Sequence, residues 1–273
     1  IPSTKHAMTV LFFLELTLIF FILPDVFFSN PFLKTWILKS GNISTAVFPP
    51  QGSSLLVPLD GQGMNPSLRH IAMFFHPPTL YFGLIGFFVP YAFALSSLIH
   101  KDQDKTWMRL VFPVTLFAWV FLTIGMLLGS WWAYTILGWG GYWGWDAVEI
   151  SGLLPWLLSF GLVHSFNMQL RGQPYKKWLY PLSFAIVILT LFGILITRSG
   201  ILESVHAYTS GAMGPVLTIL VLIHLLTAGI LLFLRRSLIS EQSAERSATL
   251  MDLLTRLFNS CLVGLVLIYL VGQ

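Results

Sequence analysis

The chain alternates long apolar runs with short polar stretches, and the runs have the length of membrane spans. A bilayer core about 30 Å thick takes roughly 20 apolar residues as a helix. Seven stretches qualify: residues 7–23, 78–99, 110–129, 152–169, 178–197, 215–234 and 257–272. Their apolar positions are continuous rather than alternating, which favours helices, each satisfying its own backbone hydrogen bonds, over a barrel. The expected fold class is all-α, a polytopic transmembrane helical bundle of about seven spans. The expected organisation is a first span within 1–28, an outer loop over 29–77 and a membrane bundle over 78–273. The first run carries Glu15 and ends at Pro24-Asp25. With no small-residue cleavage signature, it reads as a span rather than a signal peptide.

Composition agrees and narrows the chemistry. Of 273 residues, 56% are hydrophobic and 10% charged, against about 45–50% and 25% in soluble domains, and the mean hydropathy is +0.79. The single cysteine, Cys261, excludes disulfide frameworks, thiolate zinc sites and CxxC redox chemistry, so any metal must use histidine or carboxylate. The net charge of +4 would suggest nucleic acid in a soluble domain, but here it reports topology. Of the fifteen basic residues, eleven fall in one set of loops, and only Lys34, Lys39, Arg69 and Arg198 fall on the opposite side. The basic side is expected to face the cytoplasm or mitochondrial matrix. Ser240 to Arg256 reads either as a surface-lying amphipathic helix or as a solvated loop.

Three features then collect on the outer side. They are Phe75-His76-Pro77-Pro78 before the second span, an aromatic loop from Trp131 to Glu149, and the stretch from Arg198 to Tyr208. The loop holds five of the ten tryptophans, Trp131, Trp132, Trp139, Trp143 and Trp145, and no basic residue. An aromatic belt spreads its rings among all helix ends. Here they concentrate in one segment with Gly138, Gly140, Gly141 and Gly144 between them. Glycine lets backbone approach a flat object and broad rings stack on it, so a platform is the favoured reading beside the belt. His76, ahead of two prolines, is expected at a rigid corner, and His206 lies in the other flanking loop. Together they form a candidate bis-imidazole site for haem iron, while each alone also fits a hydrogen-bonded interfacial side chain.

His164 and His224 lie inside spans four and six, where an ionisable residue is a functional candidate. A buried haem between them is compatible with their positions; a neutral histidine bonded to a neighbouring helix is the alternative, preferred for His224. Asp146 and Glu149, three apart, could share a helix face and tune protonation or meet a basic partner, or could cap a helix. Arg69 and Arg198 are the outer arginines suited to haem propionates, with Arg198 equally suited as an interfacial anchor. Gly125 and Gly129 form a GxxxG pair read as helix packing.

Four ordered segments carry a resemblance: MNPSLRHIAMFFHPPTLYFG (Met64 to Gly83), FLTIGMLLGSWWAYTILGWGGYWGWDAVE (Phe121 to Glu149), LPWLLSFGLVHS (Leu154 to Ser165) and ITRSGILESVHAY (Ile196 to Tyr208). From about Ser29 onward the sequence resembles the CcmF family of cytochrome c haem lyase subunits, within the haem-handling group named for its WWD domain. The resemblance implies a protein that holds haem at the outer membrane face and promotes its thioether attachment to the CxxCH cysteines of apocytochrome c. It implies His76 and His206 as outer haem ligands, and an embedded haem b with one ligand at His164 and the second on a span this chain does not contain. It further implies a haem chaperone and other maturation subunits as partners, in a bacterial or mitochondrial inner membrane. The family's WDPVENAS reads here Trp145-Asp146-Ala147-Val148-Glu149-Ile150-Ser151-Gly152, losing a proline and an asparagine. Members run to about twice this length, the chain matching their central part. A haem-delivery module without lyase chemistry is the alternative, and a transporter for another solute would need more polar residues in its spans.

Overall fold

The computed structural model describes residues 4–28, 30–61, 63–66, 69–102, 104–138, 140–199, 213–240 and 249–272. Nine α-helices occur among them: α1 Thr4–Phe28, α2 Ala72–Gly86, α3 Phe88–His100, α4 Thr106–Trp132, α5 Ala147–Leu170, α6 Lys176–Arg198, α7 Gly214–Leu234, α8 Arg236–Ile239 and α9 Leu250–Gly272. Seven helical stretches are long and apolar enough to cross a membrane, α2 and α3 together making one of them. The chain is a polytopic helical membrane protein. Residues 30–61 also hold a small sheet that the hydropathy pattern does not announce. Strands β1 (Lys34–Ile37), β2 (Ile43–Ala46) and β3 (Ser54–Leu55) pair antiparallel in the order β2-β1-β3, and Trp36 Nε1 donates to the Ala46 carbonyl at 2.9 Å.

The basic loops meet at one end of the bundle, near the start of α4, and the aromatic segment follows the other end of α4. At the basic end the start of α1 meets the end of α3: His6 Nδ1 lies 3.3 Å from Asp102 Oδ2 and Thr9 Oγ1 lies 2.8 Å from His100 Nε2. Tyr175 there donates to the Asp252 carbonyl at 2.9 Å and so ties the turn before α6 to α9. The core lies between α3, α4, α5 and α6, around Leu95, Trp107, Leu162, Phe166, Tyr180 and Phe184. One buried hydroxyl pair, Ser97 and Tyr180 at 2.8 Å, links α3 to α6.

Inside a bilayer the apolar effect does not draw helices together, so close backbone approach through small residues takes its place. The seam between α2 and α4 is built this way. A Cβ on Gly83 would fall 2.4 Å from the Leu122 backbone nitrogen, and one on Gly125 would fall 2.7 Å from Leu80 Cα. Gly86 opposes Ala118 in the same register. Helix α5 meets α6 similarly, with Gly193 against Ser151.

Several boundaries differ from the sequence expectation. The second span begins at Ala72, so His76, Pro77 and Pro78 lie inside α2 rather than at a corner before it. The prolines delete two intrahelical donors, and the Thr79 hydroxyl lies 2.6 and 3.0 Å from the carbonyls of Phe75 and His76. The last span begins at Leu250, and residues 241–248 of the stretch read as amphipathic helix or loop lie outside the described residues.

Candidate functional site

The aromatic segment is less a loop than a helix end followed by a turn. Trp131 and Trp132 are the last residues of α4. A π-helical turn, Ala133–Leu137, follows, a distortion that often marks functional positions. The Thr135 hydroxyl satisfies its preceding turn, 3.0 and 3.1 Å from the carbonyls of Trp131 and Trp132. Gly138 and Gly140 follow, both at positive φ (67° and 76°), a region glycine enters without a Cβ penalty. No atom outside their chain neighbours lies within 4 Å of where a Cβ would sit on either.

His76 projects from α2 into the seam with α4. Its Nδ1 lies 2.7 Å from the Gly125 carbonyl oxygen. A carbonyl only accepts, so Nδ1 carries the proton and Nε2 carries the ring's lone pair. That is the tautomer of an iron-ligating histidine whose other nitrogen is oriented by a backbone carbonyl. The ring is half-buried, meets Trp132 edge to face with centroids 5.9 Å apart, and occupies the space in front of Gly129, where a Cβ would sit 2.6 Å from His76 Cε1. Gly125 therefore packs helix on helix, as the GxxxG reading expects, while Gly129 admits the imidazole.

Trp143 and Trp145 form a second pair, perpendicular with centroids 6.1 Å apart, and Trp145 stacks on Tyr269 of α9 at 5.6 Å. Trp145 holds φ at 57°, an uncommon conformation for a residue with a Cβ. Its two neighbours fix it there: Glu149 Oε2 accepts from the N–H groups of Gly144 (2.9 Å) and Asp146 (3.3 Å). Asp146 is the N-cap of α5, accepting from Val148 at 3.2 Å and completing a capping box with Glu149. Both carboxylates are thus engaged with backbone donors.

The remaining candidates are dispersed. Arg198 ends α6 and is exposed. His206 and Trp139 lie outside the described residues. His164 is exposed on α5, its ring perpendicular to Phe258 of α9 at 5.5 Å. Because α5 starts at Ala147, His164 stands about 26 Å along it at 1.5 Å per residue, deeper than expected. His224 is buried, bonded to its own helix through the Leu220 carbonyl at 2.9 Å and set against Tyr91 of α3. The two rings thus pack against different helices. An apolar hollow of 490 Å³ on the small sheet, lined by Phe32, Trp36 and Phe48 among others, shares no residue with the histidine site.

Sequence reading passed over His70, Thr135 and Tyr269. His70 meets Trp131 edge to face at 4.7 Å, and a second histidine six residues before His76 was the available signal. For Tyr269 no local signal exists, since 124 positions separate it from Trp145.

A family model described as "Cytochrome C assembly protein" matches residues 3–202, so the resemblance begins well before Ser29. CcmF of Haemophilus influenzae, a cytochrome c-type biogenesis protein, is 44% identical over 190 residues, which are 70% of this chain and 26% of the relative. CcmF of Escherichia coli is 35% identical over 252 residues, 92% of this chain and 36% of the relative. A solved structure titled "Cytochrome c Heme Lyase CcmF" superposes with a TM-score of 0.54 at 30% identity, covering 73% of this chain and 31% of that one. The chain spans about a quarter to a third of the length of these relatives, less than the half expected.

Proposed function

The chain belongs to the cytochrome C assembly protein family, and from that premise we propose that it is the haem-holding part of a cytochrome c maturation system. In this reading haem is the substrate. It docks at the aromatic end of the bundle, which faces away from the cytoplasm or matrix, with one face toward Trp131, Trp132, Trp139, Trp143 and Trp145. His76 and His206 take the two axial positions on iron, and Arg198 receives a propionate. The observation that carries the proposal is the His76 tautomer: an Nδ1 proton spent on the Gly125 carbonyl at 2.7 Å makes Nε2 the ring nitrogen with a lone pair for a metal.

The reaction is the addition of two apocytochrome cysteines across the haem vinyl groups. Each S–H adds over one C=C bond, the sulfur forming the thioether and the proton passing to the neighbouring carbon, with no net redox change. The incoming histidine of the CxxCH segment displaces one axial ligand. The protein's contribution is position and exclusion of water rather than a nucleophile of its own. His76 anchors the iron, and the capped turn at Trp145 holds the edge of the platform. A second, embedded haem b would take His164 as one ligand and would pass on electrons from a quinol, which is oxidised as the substrate iron is kept ferrous. The outward-facing imidazole fits half of such a site, the other half coming from a further span. Partners then include apocytochrome c, a haem chaperone and the subunits that carry the rest of the system.

Absorption spectroscopy of the purified chain titrated with haem tests this. The expected result is a low-spin spectrum in the wild type that is lost in His76→Ala and retained in His224→Ala. An unchanged spectrum in His76→Ala overturns the site. Haem binding without thioether product, when ferrous haem, apocytochrome and the partner subunits are supplied, would leave a delivery module.

A further inference from the structure

The aromatic end holds a second imidazole prepared for the opposite task. His70 Nδ1 accepts the Ala72 backbone N–H at 3.2 Å, so the ring proton sits on Nε2. Six residues apart on one segment, His70 and His76 therefore present opposite tautomers, one offering a hydrogen-bond donor and the other a metal ligand. Among the described residues the Nε2–H of His70 meets only a weak acceptor, Thr135 Oγ1 at 3.4 Å, beyond the usual N–H···O range of about 2.7–3.2 Å. The Thr135 proton is itself directed at the carbonyls of Trp131 and Trp132, which leaves its oxygen as acceptor. That contact can be exchanged for a stronger one with little loss.

The surroundings select the chemistry of the exchange partner. His70 is half-buried and lies against Trp131, which is 42% exposed, so the donor sits at the rim of an open indole surface. The segment from Trp131 to Glu149 has no basic residue, and its two carboxylates accept from backbone N–H groups. Arg69, immediately before His70, is exposed, with its Nε on the Met64 carbonyl at 3.0 Å. A flat ligand covering Trp131 and carrying carboxylates at its edge would find its donors here.

We propose that His70 is a carboxylate-binding residue of this site, donating its Nε2 proton to a propionate of the tetrapyrrole. This rests on the reading that haem docks at His76, and it adds the residue that fixes the rotation of the ring about its iron. An N–H donor to a carboxylate is a charge-assisted hydrogen bond, so its loss weakens binding about tenfold or more.

The test compares haem with haem dimethyl ester, whose propionates carry no charge, using the chain in lipid nanodiscs and tryptophan quenching as the affinity readout. Wild type is expected to hold haem about tenfold tighter than the ester. His70→Ala lowers that preference by weakening haem alone, leaving the share that Arg198 supplies, and His70→Gln, which keeps an N–H donor, restores part of the loss. The low-spin spectrum due to His76 persists in both. Equal weakening of haem and ester in His70→Ala would reduce His70 to a support for Trp131 and overturn the proposal, as would an unchanged preference. If wild type binds neither compound, the haem site itself falls and this inference with it; if only His76→Ala loses binding, the site stands and His70 does not belong to it.

Discussion

The α2–α4 seam and the α5–α9 seam each present a histidine, and they differ in how much of a site the chain itself completes. At α2–α4 the glycines bring backbones together, Gly129 leaves a slot of imidazole size, and the Gly125 carbonyl orients the ring. At α5–α9 the contact is looser. Asn259 Nδ2 reaches Ser165 Oγ at 3.1 Å while its Oδ1 is buried without a partner, and His164 is exposed beside Phe258. A preorganised ligand needs its tautomer and rotamer fixed before the metal arrives. His76 meets that condition within this chain, and His164 has one ring neighbour and an open side. In the proposed reading the first seam is a site, and the second is a surface that another helix completes.

The largest expected effect breaks the first seam outright. Gly83→Ala places a methyl 2.5 Å or less from the Leu122 backbone, where no side chain can swing aside. Overpacking of this kind costs about 3 kcal/mol. Thermal unfolding in detergent should show a clear fall in Tm together with loss of haem binding. An unchanged Tm would mean that the helices are not in van der Waals contact at Gly83.

Next comes Gly129→Ala, which separates packing from function. Its methyl meets the end of the His76 side chain rather than backbone, so the ring can yield and the fold loses only about 1 kcal/mol. The ring cannot yield and also keep its bond to Gly125, so haem affinity should fall about tenfold or more. Gly152→Ala, with nothing within 4 Å, serves as the control. Equal behaviour of the two variants in a haem titration would remove the slot from the argument.

Glu149→Ala probes the other wall of the platform. Losing a capping interaction costs about 1 kcal/mol, here concentrated on the turn that holds Trp145 at positive φ. Hydrogen exchange at the Gly144 and Asp146 amides should quicken, while amides in the middle of α5 keep their protection. Uniform exchange across α5 would show that Glu149 caps the helix without pinning the turn.

These contrasts explain what could be read from the residues. The spans were legible because a bilayer demands continuous apolar length, and all seven are present. Helix boundaries near Pro77 and Trp131 were not. Two prolines look like a corner, yet their lost donors are tolerated near the start of a helix whose hydroxyl-bearing Thr79 meets nearby carbonyls. Aromatic residues read as a loop because glycines follow them, although the glycines begin only after the π-helical turn. His76 was visible as a candidate from its neighbours in sequence. Its tautomer, the slot at Gly129 and the contact of His70 with Trp131 depend on which helix lies opposite, and that register is a property of the fold.

The smallest effect decides whether the second seam is a surface. His164→Ala removes an exposed ring that packs edge to face with Phe258, so stability should move by no more than about 0.5 kcal/mol. His224→Ala is the matched comparison, since that ring is buried, hydrogen-bonded to Leu220 and packed on Tyr91; it should cost about 2–3 kcal/mol. If His164→Ala lowers Tm as much as His224→Ala, the imidazole is structural and the half-site fails. If it leaves both Tm and outer-site haem affinity unchanged, yet abolishes a second haem signal when the partner subunits are present, the asymmetry between the seams is functional. One histidine is then finished by its own fold, and the other is completed only on assembly.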